Sequence, residues 1–430
     1  MRKRPLVVVL VNVVVFFLLA ETLALVIFYY QHGWLFYIYP YKPAHALIPE
    51  TERGELTLEG LHPYFGPTHR AGLPFELPQA GAATGVTTNN YGFSSRVDYP
   101  FSKTSDRQLM IGIFGGSVGE WFCHMGTSRL VTRLQENRFF RDRELVPICM
   151  SHQGYKQPQQ LLVLAYFLSI GQPFDLVINI SGFNEVALSS INDERGTDIS
   201  MPSAVHMDPL VNLVNQATMT PDKLESLATI NRLKQHLNDL AARLDDTWFA
   251  STNFVAEQLY AINAAQYQEE LRRFDRLPGI PSERSLIHVT PRVKERAGEM
   301  LYDEIAANWV TSSTLMHAML ETRGVPYFDF LQPNQYYAHR TFSPEEARLA
   351  LTDDTPFKRG VEQGYPALER ALVSRAPADD PLRLTNATRI FDNEPAPVYA
   401  DNCCHYNARG NEMLADFIAA TILNSEGAWK

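Results

Sequence analysis

Residues 111–121 read IGIFGGSVGEW. The apolar run from Leu109 to Phe114 stops at two glycines, a serine, a valine and a third glycine. A run that is apolar at every position, rather than at alternate ones, predicts a strand covered on both faces, as in a parallel sheet. The small residues predict a sharp turn into a helix over about 118–134, with the Ser117 hydroxyl protruding at the turn. The first amides of such a helix favour negative charge developing beside them. Gly115-x-Ser117-x-Gly119 therefore suits a nucleophilic serine, although similar turns also pack or cradle phosphate. The lysine of a phosphate-binding loop and the glycine spacing of a dinucleotide site are both missing.

Further strands follow. Leu145–Met150 runs into SHQGY, and 155–170 has helical spacing. Asp175–Ile180 (DLVINI) ends in SGFNEV, and Val325–Leu331 (VPYFDFL) ends in QPNQY. Strands alternating with helical stretches predict an α/β fold, a three-layer doubly wound parallel sheet. In such sheets ligands bind beyond the carboxyl ends of the strands, where all four of these loops lie. Roughly 140 residues separate the third and fourth strands, far more than a crossover needs. Thr220-Pro221 starts a helix there by capping chemistry. Ile230, Leu233, Leu237, Leu240 and Leu244 give it an apolar seam, and a second helical run covers 254–273. The pair predicts a helical hairpin, serving as filler, as a lid or as an arm for a protein partner.

The chain of 430 residues is 45% hydrophobic and 20% charged, with a net charge of -10. No basic block lies beyond the first residues, which disfavours a nucleic-acid partner. Arg2, Lys3 and Arg4 precede an apolar run from Leu6 to Tyr30, whose only charge is Glu21. Such a run spans roughly 37 Å as a helix, enough to cross a bilayer. Basic residues before it predict a cytoplasmic N-terminus and an external main domain. Trp34, Phe36, Tyr37, Tyr39 and Tyr41 suit an aromatic belt. A cleaved signal peptide fits less well, because the run is too long and no small-residue cleavage site ends it. The four cysteines, Cys123, Cys149, Cys403 and Cys404, can form disulfides outside the cytoplasm, and their pairing stays open.

A serine nucleophile needs a base and a group to orient it. Among 12 histidines, His405 stands out, because Asp401 lies four residues before it in DNCCH. That spacing can set a carboxylate beside an imidazole; capping the helix that starts near Asn407 is the other use of His405. His124 and His152 have no partner at metal-ligand spacing and are expected to be ordinary helix and loop residues. No metal site and no cofactor is expected.

Taken in order, GGSV (Ser117), SHQGY (Gly154), SGFNEV (Asn184) and DNCCH (Asp401, His405) resemble the four blocks of the SGNH (GDSL-like) hydrolase superfamily, over residues 108–424. NNYGFSS, FLQPNQYY and CCHYNARGNEMLA are similar to a bacterial, membrane-anchored branch of it. An α/β-hydrolase fits less well, since its serine follows a mid-sheet strand and its acid and histidine come from separate loops.

The resemblance implies an SGNH/flavodoxin-like sheet and a Ser117–His405–Asp401 triad. It implies an oxyanion hole from the Ser117 and Gly154 N–H groups and the Asn184 amide. Three departures stand out: GGS for GDS, Glu185 for the aspartate of G-x-N-D, and one extra residue between acid and histidine. Counting back three residues from His405 gives Asn402, but an imidazolium gains more from the charge of Asp401.

Gln332, Asn334 and Gln335 suit sugar hydroxyls, and Tyr336 or Tyr337 a sugar face, unless they only stabilise a turn. The implied function is a serine esterase or O-acyltransferase, single-pass in the bacterial inner membrane with a periplasmic domain. It would act on ester groups, acetyl first, of an envelope or secreted polysaccharide. A non-catalytic glycan-binding or scaffold module is the competing reading. The expected layout is an anchor over 1–30, a stalk and lead-in over 31–107, a catalytic domain over 108–185 and 320–424, and a helical insertion over 186–319.

Overall fold

The computed structural model describes residues 4–33, 35–38, 59–77, 83–214, 219–245, 247–278, 285–296, 298–374 and 382–430. The expected belt residues Trp34, Tyr39 and Tyr41, and the expected stalk over 39–58, lie outside them. The chain forms two compact units. One comprises Met1–Thr57 and Val214–Leu286; the other comprises Leu58–Leu213 and Ile287–Lys430.

In chain order, the elements begin with helix α1 (Arg4–His32), then strands β1 (Glu59–His62), β2 (Gly66–His69), β3 (Pro74–Glu76), β4 (Ala83–Thr87) and β5 (Gln108–Gly115). Next come α2 (Ser117–Met125), α3 (Thr127–Gln135), α4 (Arg138–Arg141), β6 (Glu144–Ser151), α5 (Gln159–Ser169), β7 (Leu176–Ser181), α6 (Phe183–Glu194) and α7 (Ala204–Val214). The rest are α8 (Pro221–Asp245), α9 (Ala250–Arg276), α10 (Glu299–Glu321), β8 (Tyr327–Leu331), α11 (Pro344–Ala350), α12 (Lys358–Ser374), β9 (Arg383–Asn386) and α13 (Ala408–Asn424).

The larger unit is built on a parallel five-stranded sheet of order β6-β5-β7-β8-β9. Numbered along the chain this is 2-1-3-4-5, and the direction of winding reverses between β5 and β7. Alternate side chains of β5 enter opposite cores. Ile111 and Ile113 pack with Val118 and Phe122 of α2 and Leu414 and Ile418 of α13. Met110 and Phe114 pack with Val163 and Phe167 of α5. Helices thus cover both faces, as the uninterrupted apolar run requires.

Three polar residues inside strands, Asn179, Ser181 and Asp329, have a local cause. The buried Asp329 carboxylate on β8 accepts from Ser181 Oγ at 2.6 Å, Ser313 Oγ at 2.7 Å and Asn179 Nδ2 at 3.2 Å. Buried polar atoms are tolerable when bonded in this way.

Several boundaries differ from the sequence expectation. The helix after Ser117 is broken at Gly126 into α2 and α3. A fifth strand, β9, was not anticipated. Residues 59–107 are not a stalk: β1 pairs with β2 and β3 with β4, while Phe65, Phe93 and Tyr99 share the core of β5 and β6. Of the expected insertion 186–319, α6, α7 and α10 belong to the larger unit. Most of α6 is buried although half polar, because its side chains bond locally, as Asn192 Nδ2 does to Met201 O at 3.0 Å. Polarity therefore disguised a core helix.

The smaller unit contains α1 and the hairpin α8–α9. Within α1, Val7–Gln31 is long and apolar enough to cross a membrane, with mean hydropathy 2.6 over its most apolar stretch. In the hairpin, Ile230, Leu237, Leu240 and Leu244 pack against Tyr260, Tyr267 and Phe274. Each fully buried side chain of this size contributes about 1.5–3 kcal/mol. Glu21 caps the start of α9: its carboxylate accepts from Ala250 N at 2.7 Å and from Ser251 N at 3.0 Å, and from the Tyr37 hydroxyl. The one charge in the apolar run thus meets the positive end of a helix.

Candidate active site

The glycines around Ser117 are a matter of space. A Cβ on Gly116 would lie 2.0 Å from Asn184 Nδ2, and one on Gly119 would lie 2.5 Å from Ser151 Oγ. The turn is squeezed between the ends of β7 and β6, so a side chain at position 116 has no room. This accounts for GGS. Ser117 is the first residue of α2 and is half-buried.

Asn184 stands near the start of α6 and donates from Nδ2 to Tyr155 O at 2.8 Å. It links the loops after β6 and β7 across the Gly116 backbone. Glu185 caps its own helix: one carboxylate oxygen accepts from Gly182 N at 2.6 Å, the other from Gln157 N at 3.0 Å. Complete burial pushes its pKa up to about 7 despite these bonds. Gly154 has φ +75°, a left-handed conformation that favours glycine. The His206 ring lies on it: a Cβ there would meet His206 Nδ1 at 2.4 Å. Burial pushes the His206 pKa down to about 4, so this ring is neutral at pH 7.

The acid–histidine segment is a tight knot. Asp401 Oδ2 lies 2.5 Å from His405 Nδ1. Its Oδ1 accepts from the backbone amides of Cys403 at 3.0 Å, Cys404 at 3.1 Å and His405 at 3.2 Å. The extra residue is thereby absorbed into a turn that the carboxylate itself organises. Burial opposes the charge on Asp401, but the His405 ring and these amides hold its pKa below the usual range. The carboxylate on the ring is that of Asp401, not a group from Asn402. Asn407, rather than His405, caps α13, accepting from Gly410 N at 3.1 Å.

His405 Nε2 is buried and has no hydrogen-bond partner. The ring stacks on Trp121, with centroids 4.3 Å apart and planes 14° from parallel. Trp121 lies one turn after Ser117 on α2. The Cys404 thiol in the same segment is buried. Burial pushes that thiol well above its ordinary pKa, so it is protonated. The 401–405 segment therefore abuts the helix that carries Ser117. Trp121 was missed in the sequence, although the i, i+4 spacing from Ser117 to Trp121 was a usable signal.

The amides after β8 have another use than sugar binding. Gln332, Asn334 and Gln335 are all buried. Asn334 Nδ2 donates to Cys403 O at 3.2 Å, and Gln335 Nε2 to Asp401 O at 3.1 Å. Tyr336 Oη donates to Asn402 O at 2.7 Å, while Tyr337 Oη bonds Glu369 at 2.8 Å. Asn334, Gln335 and Tyr336 thus clamp the 401–405 knot.

The open cysteine pairing resolves to Cys123–Cys149, leaving Cys403 and Cys404 as free thiols. His124 packs on Phe75 as an ordinary helix residue, with ring centroids 5.1 Å apart. His152 is no ordinary loop residue, since it is buried beside Glu59 and His69. No protein-family model matches this chain, and no curated protein matches it.

Proposed function

We propose that the chain is a membrane-anchored serine esterase or O-acyltransferase of SGNH type. It faces the periplasm and acts on ester groups, acetyl first, of an envelope or secreted polysaccharide. The single observation behind this reading is the His405 ring. Asp401 holds its Nδ1, its Nε2 is left without a partner, and Trp121 seats it one helical turn from Ser117. A ring held in that tautomer is a base.

Ser117 Oγ attacks the ester carbonyl while His405 Nε2 takes its proton. The tetrahedral oxyanion is held by the Ser117 and Gly154 N–H groups and by Asn184 Nδ2, which keeps one N–H beyond its bond to Tyr155. Each such donor is worth about 2.7–4 kcal/mol in the transition state. The bond to the alcohol oxygen breaks, and His405 returns the proton to the leaving alcohol. Water or a sugar hydroxyl then attacks the acyl-Ser117 carbonyl, giving its proton to the same nitrogen, and Ser117 Oγ leaves with that proton.

The helix α1 supports an anchored location. The Cys123–Cys149 bond suits an oxidising compartment.

One observation favours a binding module instead. His405 Nε2 makes no hydrogen bond to Ser117. Catalytic bonds often tighten only around substrate. Two measurements separate the readings: fluorophosphonate labelling followed by peptide mass analysis, and acetate release from acetylated glycans beside Ser117→Ala. A mass shift on Ser117 and release abolished by the substitution support acyl chemistry. An unlabelled folded protein, or equal release by both proteins, would leave the binding module.

A further inference from the structure

Four side chains that the acyl chemistry does not use converge behind the loop that carries Gly154. Glu59 comes from β1, His69 from β2, Glu120 from α2 and His152 from the end of β6. The two imidazoles are 1% exposed and Glu120 is 3% exposed. His69 Nε2 bonds Glu120 Oε1 at 2.9 Å. In the neutral ring that bond uses the Nε2 proton and leaves the Nδ1 lone pair for a metal. His69 Nδ1 lies 3.0 Å from Glu59 Oε1, and His152 Nε2 lies 3.3 Å from Glu59 Oε2. Neither contact has the geometry of a hydrogen bond, and both ring nitrogens of His152 lack a hydrogen-bond partner. One donor atom each from Glu59, His69 and His152 fits within 4.8 Å.

Donors about 2.0–2.1 Å from a tetrahedral zinc lie roughly 3.3–3.4 Å apart, close to these separations. Two imidazoles and one carboxylate are also a zinc set that leaves a fourth position open. A carboxylate on the far nitrogen of a liganding histidine, as Glu120 is on His69, fixes the ring and raises its basicity. The dication would balance the buried Glu120 carboxylate and the half-buried Glu59 carboxylate.

We propose that Glu59, His69 and His152 bind a divalent transition metal, zinc by the nature of the ligands, with Glu120 as the residue that positions His69. The metal would staple the β1–β2 pair to the loop between His152 and Gly154. The ligands are 10 and 83 positions apart, too scattered to form a sequence motif. The proposal does not depend on acyl chemistry, since neither Ser117 nor His405 takes part.

The test uses the full chain purified in detergent without chelator. Elemental analysis should find about one zinc per folded chain in the wild type and in Ser117→Ala, and less than about a tenth in His69→Ala/His152→Ala. Those substitutions empty a buried site, so a second measurement covers a folding failure. Wild type stripped by chelator should bind Co2+ with saturation at about one equivalent and gain a visible d–d absorption band. Glu120→Gln should weaken that binding about 10–100-fold and leave the band in place. Folded wild type with no bound metal and no cobalt band would overturn the proposal, and the four side chains would then be a proton-held ion-pair network.

Discussion

Trp121 and His405 lie ring on ring, 4.3 Å between centroids and 14° from parallel. Because Trp121 and Ser117 share one face of α2, the stack sets the distance between the proposed base and the proposed nucleophile. Trp121→Ala should lower kcat for acetyl-ester hydrolysis about 10–100-fold with little change in KM, since a misplacement near 1 Å can cost that much. Trp121→Phe should restore most of it. Steady-state kinetics on the three proteins checks this.

Asp401 carries a pH signature. Its pKa is lowered in the fold, so its ionised form stabilises the protein above the usual carboxylate range, and that stability drains away as the pH falls through the lower folded value. Asp401→Asn should therefore unfold more easily than wild type at pH 7. The gap should narrow below about pH 4. Its kcat should drop about 10⁴-fold, because an amide favours the wrong tautomer of the ring. Urea midpoints at pH 7 and pH 3, together with rates at pH 7, read both effects.

Gly116 is where a side chain would strike Asn184. Gly116→Ala should cost about 1–3 kcal/mol by overpacking, and Gly116→Asp more. The cost should shrink when Asn184→Ala removes the obstacle, so the double mutant should be more stable than the sum of the singles predicts. Thermal melts of the four proteins complete the cycle.

Asn334 and Gln335 hold the backbone of the acid–histidine knot. Alanine at either position should lower kcat and leave KM nearly unchanged. A raised KM for glycan esters with kcat intact would instead return these residues to sugar binding.

The Cys123–Cys149 bond ties α2 to β6 across 26 positions. Replacing both cysteines by serine should cost about 3–4 kcal/mol, from the loop entropy regained by the unfolded chain. Alkylation of unreduced, denatured protein should modify Cys403 and Cys404 and spare the other two.

Much of this protein is determined by local sequence. An apolar run with no polar alternation must be covered on both faces, and β5 is. The pairing of β5 with β6 and β7 then brings Ser117, the Gly154 loop and Asn184 to one edge, because parallel strands end together. Asp401 and His405 meet through a turn that one carboxylate can organise. The 25-residue apolar stretch of α1 is legible for a similar reason, since crossing a bilayer is a matter of length and composition.

The remainder needed contacts between distant residues. Asn334 and Gln335 read as sugar-binding or turn amides until the fold placed the 401–405 backbone against them. Half-polar α6 fell mostly within the expected insertion until its neighbours satisfied its side chains. Trp121 gained meaning only when the C-terminal knot came to rest on α2, and Glu59, His69 and His152 only when β1, β2 and β6 converged. Periodicity and turn chemistry act over a few residues and can be read along a chain. Which buried polar group meets which is settled by packing in three dimensions, where sequence separation counts for nothing.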